Sequence, residues 1–582
     1  MNHPIERRAL LRAGALGAAG FSLAGLLPAW AQSNTPGIRA TLPTLAGEDI
    51  HLKIARSRYM VGGRAGNAIT LNGVLPAPLI RLKEGQNVRL HVENSLDEDS
   101  SIHWHGLILP FQMDGVPGVS FPGIKPHSLF TYQFPVKQNG TYWYHSHSGL
   151  QEQLGHYGPI VIDPAGADPV GYDREHVIVL SDWSFLDPHR LFTRLKQEGG
   201  YFNRQKQTLA GMIAGGPEEK LSPSERAKWG KMRMDPADIA DVSATTYTYL
   251  INGHGPQENW TGLFRPGERV RLRVINASSM SIFNVRIPGL SLSVVQSDGQ
   301  NVRPVTVDEF QIGTAETYDV VVQPNDDRAY TIVAESLDRS GMGRATLAPR
   351  PGMAAMVPPL RERPTLTMKD MGMGGMDHGA HGSVAGAAAG AMDHGAMSMR
   401  DKSKVPESVS VGVGMDAIAF SPVDRTGDPG VGLDNVGHKV LTYRDLVALE
   451  PNPDPRPPAR TIEVHLTGNM ERFMWSFDGK KFSDGVEPIR FERNERARVV
   501  LVNHTMMTHP IHLHGHFFEV VNGQKGRQPL KHTINVLPGG KASFDLTADA
   551  PGDWAFHCHL LLHMHAGMFR VVTVRPHEGE AA

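Results

Sequence analysis

Three stretches of the chain repeat one arrangement of apolar and charged residues, at positions 80–90, 264–272 and 489–499. In each, apolar residues alternate with polar or charged ones, as on a strand with one buried face. Each stretch is followed within a few residues by an asparagine, at Asn94, Asn276 or Asn503. The simplest account is three copies of one β unit, so the repeat predicts three related domains.

The rest of the sequence indicates the same fold class. From about residue 40 it consists of short alternating runs broken by Gly, Pro, Asn and Asp, which are typical of strands. Such strands without long amphipathic helices predict an all-β protein of Greek-key β-barrel or sandwich domains. Short helices are expected near 188–197 and 222–231. A chain of 582 residues can bury several such cores.

The repeats and the composition together predict the domain boundaries. Domain 1 is expected at 40–166, domain 2 at 170–350 and domain 3 at 410–582. Between domains 2 and 3 lies a Met- and His-rich segment, 351–405, which repeats Met-Asp-His-Gly-Ala at Met376 and Met392. It lacks the periodicity needed to build a core, so we expect it to be flexible.

Residues 1–31 have the features of an export signal. Arg7 and Arg8 precede a short apolar run, and Ala29-Trp30-Ala31 offers a cleavage site, which resembles the bacterial twin-arginine signal. The run is shorter than the ~20 residues of a membrane span. We therefore expect a periplasmic protein with no membrane span in the mature chain. A net charge of -2, from 58 basic and 60 acidic residues, predicts no nucleic-acid partner.

Four His-x-His pairs are the main functional signal. They are His103/His105, His145/His147, His512/His514 and His557/His559. Residues i and i+2 of a strand point to the same face, so each pair offers two imidazoles to one place. Two pairs lie in the first β unit and two in the third, which predicts one cluster shared between them. Imidazole binds copper, zinc, iron and nickel, so the pairs alone do not choose the metal.

Cys558, the only cysteine of the chain, helps to choose the metal. It stands between two paired histidines, so on a strand its sulfur points away from their imidazoles and serves a second site. The nearby residues that can join it are His509, His563 and Met568. Two imidazoles, a thiolate and a thioether form a blue-copper electron-transfer site. The peptide 557–559 would then link that site covalently to the histidine cluster.

These residues resemble the signatures of the multicopper oxidase family. The matching motifs are His103-Trp104-His105-Gly106, Trp143-Tyr144-His145-Ser146-His147, His509-Pro510-Ile511-His512-Leu513-His514-Gly515-His516 and His557-Cys558-His559 with His563 and Met568. The resemblance covers the chain from about residue 45 to 575. It implies three cupredoxin-like domains, four copper ions and O2 as a substrate.

The resemblance also implies a role for each ligand. Type 1 copper would be held by His509, Cys558, His563 and Met568, with Cys558 as the entry point for electrons. Type 2 copper would be held by His103 and His512, and the type 3 pair by His105, His145, His147, His514, His557 and His559. Asp114 matches an acid that the family places near the cluster, and is a candidate proton donor.

The Met- and His-rich segment narrows the resemblance. Together with the export signal and two methionines beside His509, it is similar to bacterial copper-resistance oxidases of the CopA type. This implies oxidation of Cu(I) in the periplasm, alongside other periplasmic copper-handling proteins. Thioether sulfur is a soft ligand that suits Cu(I). The candidate Cu(I) ligands are Met371, Met373, Met376, His378, Met392, His394, Met397, Met506 and Met507.

Two positions depart from many cuprous oxidases, and two other functions stay open. Met564 replaces a proton-delivering glutamate, and Thr505 replaces a substrate-site aspartate. A laccase would take electrons from phenols or other organic reductants at an open edge of a type 1 histidine. A copper-sequestering protein would bind copper beyond four ions and consume little oxygen.

Overall fold

The computed structural model describes residues 37–208, 211, 213, 221–372 and 405–576. The expected signal at 1–31 and most of the Met- and His-rich segment lie outside these residues. Within them, strands dominate and form three units of two sheets each. The predicted all-β fold with three related domains is confirmed.

The first unit pairs a five-stranded sheet with a four-stranded one. Its strands are β1 (Thr44–Ala46), β2 (Asp49–Val61), β3 (Arg64–Leu71), β4 (Leu79–Lys83), β5 (Asn87–Asn94), β6 (His103–His105), β7 (Ser128–Pro135), β8 (Gly140–His145) and β9 (Tyr157–Asp163). The sheet orders are β1-β4-β9-β8-β6 and β3-β2-β5-β7. Alternate residues of β5, such as Val88, Leu90 and Val92, are buried between the sheets.

The second unit adds two helices to its sheets. Its elements are β10 (Arg174–Ser184), α1 (Pro188–Gln197), α2 (Pro223–Met232), β11 (Tyr247–Ile251), β12 (Trp260–Leu263), β13 (Val270–Asn276), β14 (Phe283–Arg286), β15 (Leu292–Ser297), β16 (Gln300–Val307), β17 (Glu309–Ile312), β18 (Thr317–Val322), β19 (Tyr330–Ser336) and β20 (Met342–Ala348). The orders are β11-β10-β13-β18-β15-β16 and β12-β20-β19-β14-β17. Asp187 caps α1 and Ser222 caps α2, so both predicted helices are confirmed.

The third unit repeats the two-sheet plan. Its elements are β21 (Val423–Asp424), β22 (Arg460–Asn469), β23 (Met474–Phe477), β24 (Ile489–Glu492), β25 (Glu495–Asn503), β26 (His509–Leu513), β27 (Phe518–Val520), β28 (Leu530–Lys531), β29 (Thr533–Val536), β30 (Gly540–Ala548), β31 (Gly552–Cys558), α3 (Leu561–Ala566) and β32 (Phe569–Arg575). The orders are β23-β22-β25-β30-β27-β28, with β21 beside β30, and β24-β32-β31-β26-β29. Short 3-10 turns lie at Phe111–Met113, Glu152–Leu154, Met368–Met371, Tyr443–Asp445 and Phe482–Asp484.

The sequence repeat corresponds to a strand pair that crosses from one sheet to the other. Its first strand is β4, β12 or β24, and each lies parallel to the last strand of its unit, β9, β20 or β32. Its second strand is β5, β13 or β25, and each lies parallel to β2, β10 or β22 in the other sheet. The three units therefore share one topology at the repeat.

Each second strand ends at the repeated asparagine. Asn94, Asn276 and Asn503 are fully buried. Their Nδ2 atoms donate to the carbonyls of Ile124, Ile312 and Val536 at 2.9, 3.1 and 3.0 Å. In each unit the same side chain thus joins the end of this strand to a segment 30 to 36 positions further on, which explains why asparagine recurs at this place.

Residues 351–372, the described start of the predicted flexible segment, pack against the second and third units. Leu366 and Met371 are buried in an apolar cluster that also contains Trp229 and Met506. In the part of the chain that the structure describes, no helix has the length and apolarity to span a bilayer.

Candidate metal centre

Four strands position the His-x-His pairs: β6 contains its whole pair, whereas β8, β26 and β31 contain the first histidine of their pair and the second follows within two residues of the strand end. β6 and β8 are antiparallel neighbours in the first unit, with His103 opposite His145. β26 and β31 are antiparallel neighbours in the third unit, with His512 opposite His557. The two arrangements are equivalent, and alternate residues of each strand share a face. The pairs of both units consequently point to the boundary between the units.

Imidazoles from the two units pack directly against one another. Ring centroids are 3.8 Å apart for His105 and His512, and 3.9 Å apart for His103 and His514. The Nε2 atoms of His514 and His557 are 3.1 Å apart. The same cluster contains the remaining members of the pairs, His145, His147 and His559. The structure thus brings all eight predicted histidines together.

Hydrogen bonds hold several of these rings from outside the cluster. Asp114 holds two of them, because its carbonyl accepts from His103 Nδ1 at 2.7 Å and its Oδ2 lies 2.8 Å from His514 Nδ1. Glu152 Oε2 lies 2.7 Å from His145 Nδ1. Both carboxyl side chains are buried. Such contacts fix the tautomer and the orientation of a metal-binding imidazole.

Five nitrogens on the inner side of the cluster have no protein partner. The buried Nε2 atoms of His103, His145, His512 and His559 and Nδ1 of His105 make no hydrogen bond. Leaving several buried polar atoms without partners costs free energy, and a bound metal ion removes that cost. Imidazole nitrogen suits copper, so the residues present fit a group of copper ions.

Burial lowers the pKa of seven of the eight histidines and so favours their neutral form. Desolvation lowers the pKa of His105, His145 and His512 well below the ordinary value, and the neighbouring imidazoles lower it further. Neutral imidazole is the form that binds a metal ion. The cluster is therefore ready to bind metal at neutral pH without losing protons.

A second group of donors surrounds Cys558, on the opposite face of β31. Its Sγ lies 3.5 Å from His509 Nδ1 and 3.9 Å from His563 Nδ1, and these two nitrogens are 3.3 Å apart. All three residues are fully buried, as is Met568, whose carbonyl accepts from the Cys558 N–H. Two imidazoles and a thiolate beside a methionine are the donor set of blue copper.

Polar groups cover the outer nitrogens of both histidines beside Cys558. Asp241, from the second unit, lies 2.8 Å from His563 Nε2, and the hydroxyl of Thr505 lies 2.7 Å from His509 Nε2. Burial raises the pKa of Asp241 to about 7. Trp475 stacks on the His563 ring with centroids 3.9 Å apart. Neither ring has an edge open to solvent.

The candidate Cu(I) ligands fall into two groups. Met373, Met376, His378, Met392, His394 and Met397 lie outside the described residues. Met371, Met506 and Met507 are described, and all three are buried. Met371 and Met506 share their apolar cluster with the half-buried Met234 and Met470.

A cavity of about 290 Å³ opens beside this methionine cluster, between the second and third units. Its lining residues include three methionines, four acidic residues, two basic residues and a threonine: Met234, Met470, Met506, Asp235, Asp238, Asp416, Glu471, Lys206, Arg233 and Thr505. Because the Thr505 hydroxyl contacts His509, the cavity ends one side chain away from the Cys558 group.

Sequence reasoning missed several of these residues. Glu152 follows a His-x-His pair by five positions and could have been noticed there. Asp241 is 322 positions from His563 and carries no local signal. Met234 and Met470 belong to no motif, and methionine is common in apolar cores.

Comparison with known proteins identifies the family. Multicopper oxidase family models match residues 53–167, 174–354 and 455–578. The chain is 50% identical to the Copper resistance protein A homolog of Pseudomonas syringae pv. tomato, over 94% of this chain and 95% of the relative. It is 48% identical to Copper resistance protein A of Escherichia coli, over 95% of this chain and 97% of the relative.

Solved structures share the fold. Fet3p, a multicopper oxidase that functions in iron import, superposes with a TM-score of 0.62 at 19% identity, over 91% of this chain and 90% of that one. A multicopper oxidase from Campylobacter jejuni, described as a metallo-oxidase, superposes with a TM-score of 0.60 at 18% identity, over 94% and 96%. Sequence identity and family matches together show that this chain belongs to the multicopper oxidase family of copper-dependent oxidoreductases.

Proposed function

We propose that the protein oxidises Cu(I) to Cu(II) in the periplasm, and that this activity serves copper resistance. Four Cu(I), one O2 and four protons give four Cu(II) and two waters. Two relatives that are about half identical to this chain bear the name Copper resistance protein A, which supports the physiological role. The paired arginines at Arg7 and Arg8 support export by the twin-arginine route.

The proposed ligand set contains twelve residues for four copper ions. Type 1 copper takes His509, Cys558, His563 and Met568; type 2 copper takes His103 and His512; the type 3 pair takes His105, His145, His147, His514, His557 and His559. The proposed domains, 40–166, 170–350 and 410–582, assign the cluster to the first and third and give the second no copper ligand.

The methionine-lined cavity is the observation that most favours Cu(I) as the substrate. Three thioethers offer soft ligands to Cu(I), and the adjacent carboxyl groups offer oxygen ligands for the Cu(II) product. Thr505 lines this cavity, and its hydroxyl lies 2.7 Å from His509 Nε2. A copper ion in the cavity would therefore lie close to the imidazole that leads to Cys558.

The cover over the type 1 histidines argues against a laccase. A phenol needs direct contact with an imidazole edge, but the outer nitrogens of His509 and His563 are occupied by Thr505 and Asp241, and both rings are fully buried. A small ion in the cavity needs no such edge. The geometry therefore favours a metal ion over an organic reductant.

The chain's own residues arrange electron and proton transfer. When bound, type 1 copper would accept single electrons, and the three-copper cluster would supply four electrons together to O2. The peptide between His557 and His559 joins the two sites, because Cys558 faces one and its neighbours face the other. Asp114 contacts His514 and lies 3.3 Å from His103 Nδ1, so it can hold a proton beside the cluster.

Oxygen uptake with Cu(I) as the sole reductant tests the proposal. The copper-loaded protein is expected to consume O2, and Cys558→Ser is expected to lose both the blue absorption and the uptake. Full copper loading with uptake on a phenol but not on Cu(I) would make the protein a laccase. Copper binding beyond four ions without uptake on either reductant would make it a copper store.

Variants of the cavity test the substrate site. Met234→Leu combined with Met470→Leu keeps two apolar side chains of similar volume and removes two thioethers. We expect a higher KM for Cu(I), an unchanged KM for any organic reductant, and normal blue absorption. Met60→Leu is the matched control, because Met60 is exposed and does not line the cavity. If the double variant and the Met60→Leu control had the same KM for Cu(I), the assignment of the cavity as the substrate site would be contradicted.

A further inference from the structure

One hairpin tip of the second unit contacts the outer side of the histidine cluster, at the dipeptide His532-Thr533. We call this side the rear of the cluster. β15 and β16 are joined by the two-residue turn Asp298-Gly299, with Ser297 opposite Gln300. The turn residues have φ of +49° and +73°, as two-residue hairpin turns between twisted strands require. A Cβ at Gly299 would lie 2.2 Å from the ring of Tyr142. The tip is therefore seated tightly against β8 of the first unit.

The fully buried carboxylate of Asp298 accepts hydrogen bonds from four donors. Its Oδ1 accepts from the Thr317 N–H at 3.1 Å. Its Oδ2 accepts from the backbone N–H groups of His532 and Thr533 at 3.2 and 3.1 Å, and lies 3.1 Å from Lys531 Nζ. An ionised carboxylate has only acceptor sites, so it satisfies all of these donors at once.

The dipeptide His532-Thr533 in turn holds one cluster histidine from each unit. His512 Nδ1 donates to the His532 carbonyl at 2.7 Å and lies 3.2 Å from the Thr533 hydroxyl. His105 Nε2 lies 3.3 Å from His532 Nδ1 and 3.4 Å from the same hydroxyl. The opposite nitrogens, Nε2 of His512 and Nδ1 of His105, are buried without partners. These contacts decide which nitrogen of each ring faces the cluster.

We propose that Asp298 and Thr533 are positioning residues for the copper cluster. Asp298 fixes the backbone of the dipeptide, and the Thr533 hydroxyl fixes the imidazoles of His105 and His512, so that each ring presents its unpartnered nitrogen to copper. The inference rests on the proposed assignment of these two histidines as copper ligands. It gives the second unit, which has no His-x-His pair, a direct part in building the cluster.

The contacts also predict which copper ions are bound more weakly when Asp298 or Thr533 is replaced. Hydrogen bonds to the outer nitrogen of a metal-binding histidine typically change metal affinity about 10- to 100-fold. The two rings concerned are the proposed ligands of type 2 copper and of one type 3 copper. The hydrogen bonds of Asp298 and Thr533 go to the rear of the cluster and not to the Cys558 group. Type 1 copper is therefore expected to be unaffected.

Two variants test the proposal without changing side-chain volume. Asp298→Asn keeps the left-handed turn, which asparagine tolerates. However, one of its two positions becomes an NH2 donor, which cannot accept a hydrogen bond. Either the Thr317 N–H or the N–H groups of the dipeptide therefore lose their acceptor. Thr533→Val keeps the β-branched shape and removes the hydroxyl. Thr533→Ser is the matched control, because it keeps the hydroxyl.

The measurements are copper content, competition for copper with a chelator, the type 2 EPR spectrum, the blue absorption and the melting temperature of the copper-free protein. We expect Asp298→Asn and Thr533→Val to bind type 2 copper about 10- to 100-fold more weakly and to change the type 2 spectrum. Blue absorption and copper-free melting should stay near those of the parent. Thr533→Ser should keep the parent's spectrum.

Three outcomes would overturn the inference, and they differ in what else they overturn. Parent-like type 2 spectra and affinities in both variants would reject the positioning role alone. A parallel loss of blue absorption and copper-free stability would show general destabilisation instead. A parent protein without a type 2 signal would reject the ligand assignment, and the inference with it.

Discussion

At a pH above about 7, the pKa to which burial raises the Asp241 carboxyl, replacing Asp241 by asparagine removes a buried negative charge from the outer side of His563 and keeps the shape of the side chain. The carboxylate lies 2.8 Å from Nε2; adding the ring and a metal–nitrogen bond, a copper ion at Nδ1 would be about 7 Å from it. At an effective dielectric constant of about 20, a unit charge at about 7 Å contributes about 2.4 kcal/mol. For a one-electron couple this corresponds to about 100 mV.

The sign of the change follows from the charge of the metal. A carboxylate stabilises the more positive, oxidised copper, so Asp241→Asn should raise the type 1 reduction potential by about 100 mV. A redox titration of the blue absorption measures it, at a pH well above 7 so that the Asp241 carboxyl is ionised. Asp338→Asn is the matched control, because Asp338 is buried in the same unit but hydrogen-bonds to Ser336 and Ser340. An unchanged or lowered potential in Asp241→Asn, with intact blue absorption, would refute the reasoning.

Three other changes have defined outcomes. Glu152→Leu should weaken copper binding about 10- to 100-fold in chelator competition, because it removes the carboxyl oxygen that lies 2.7 Å from His145 Nδ1 and orients that imidazole; parent-like affinity would contradict this. Deleting residues 373–404 should raise the KM for Cu(I) and spare the blue absorption, and an unaltered KM would exclude the segment from substrate binding. Burial tends to raise the pKa of Glu175, but Arg273 and Arg81 lower it to about 2. Its stabilisation is therefore present above the ordinary pKa of 4.5 and lost as the pH falls toward about 2. Glu175→Gln should lower the melting temperature at neutral pH and flatten its acid dependence, which thermal melts across that range would detect.

Local periodicity explains what the sequence predicted well. Alternation along a strand determines that His557 and His559 share one face and that Cys558 takes the other, whatever the rest of the chain does. The repeats likewise predicted three β units. They did not predict which strands become neighbours, because the parallel pairing of β4 with β9 depends on residues far apart in the chain.

The residues that sequence reasoning missed act across long separations. Asp298 is 234 positions from His532, and Asp241 is 322 positions from His563. The sequence around an aspartate in a turn looks the same whether its side chain faces solvent or contacts the histidine cluster. The carboxylates that orient the imidazoles therefore became visible only when the three units were seen packed together.

The division of the histidines between the first and third units sets the order of events during biosynthesis. A growing polypeptide that has completed only two units holds four of the eight imidazoles, since the other four come from positions 512–559. The eight-histidine cluster therefore cannot form before translation has passed residue 559 and the third unit has folded against the first. Stalled or truncated products therefore lack half of the imidazoles of the cluster.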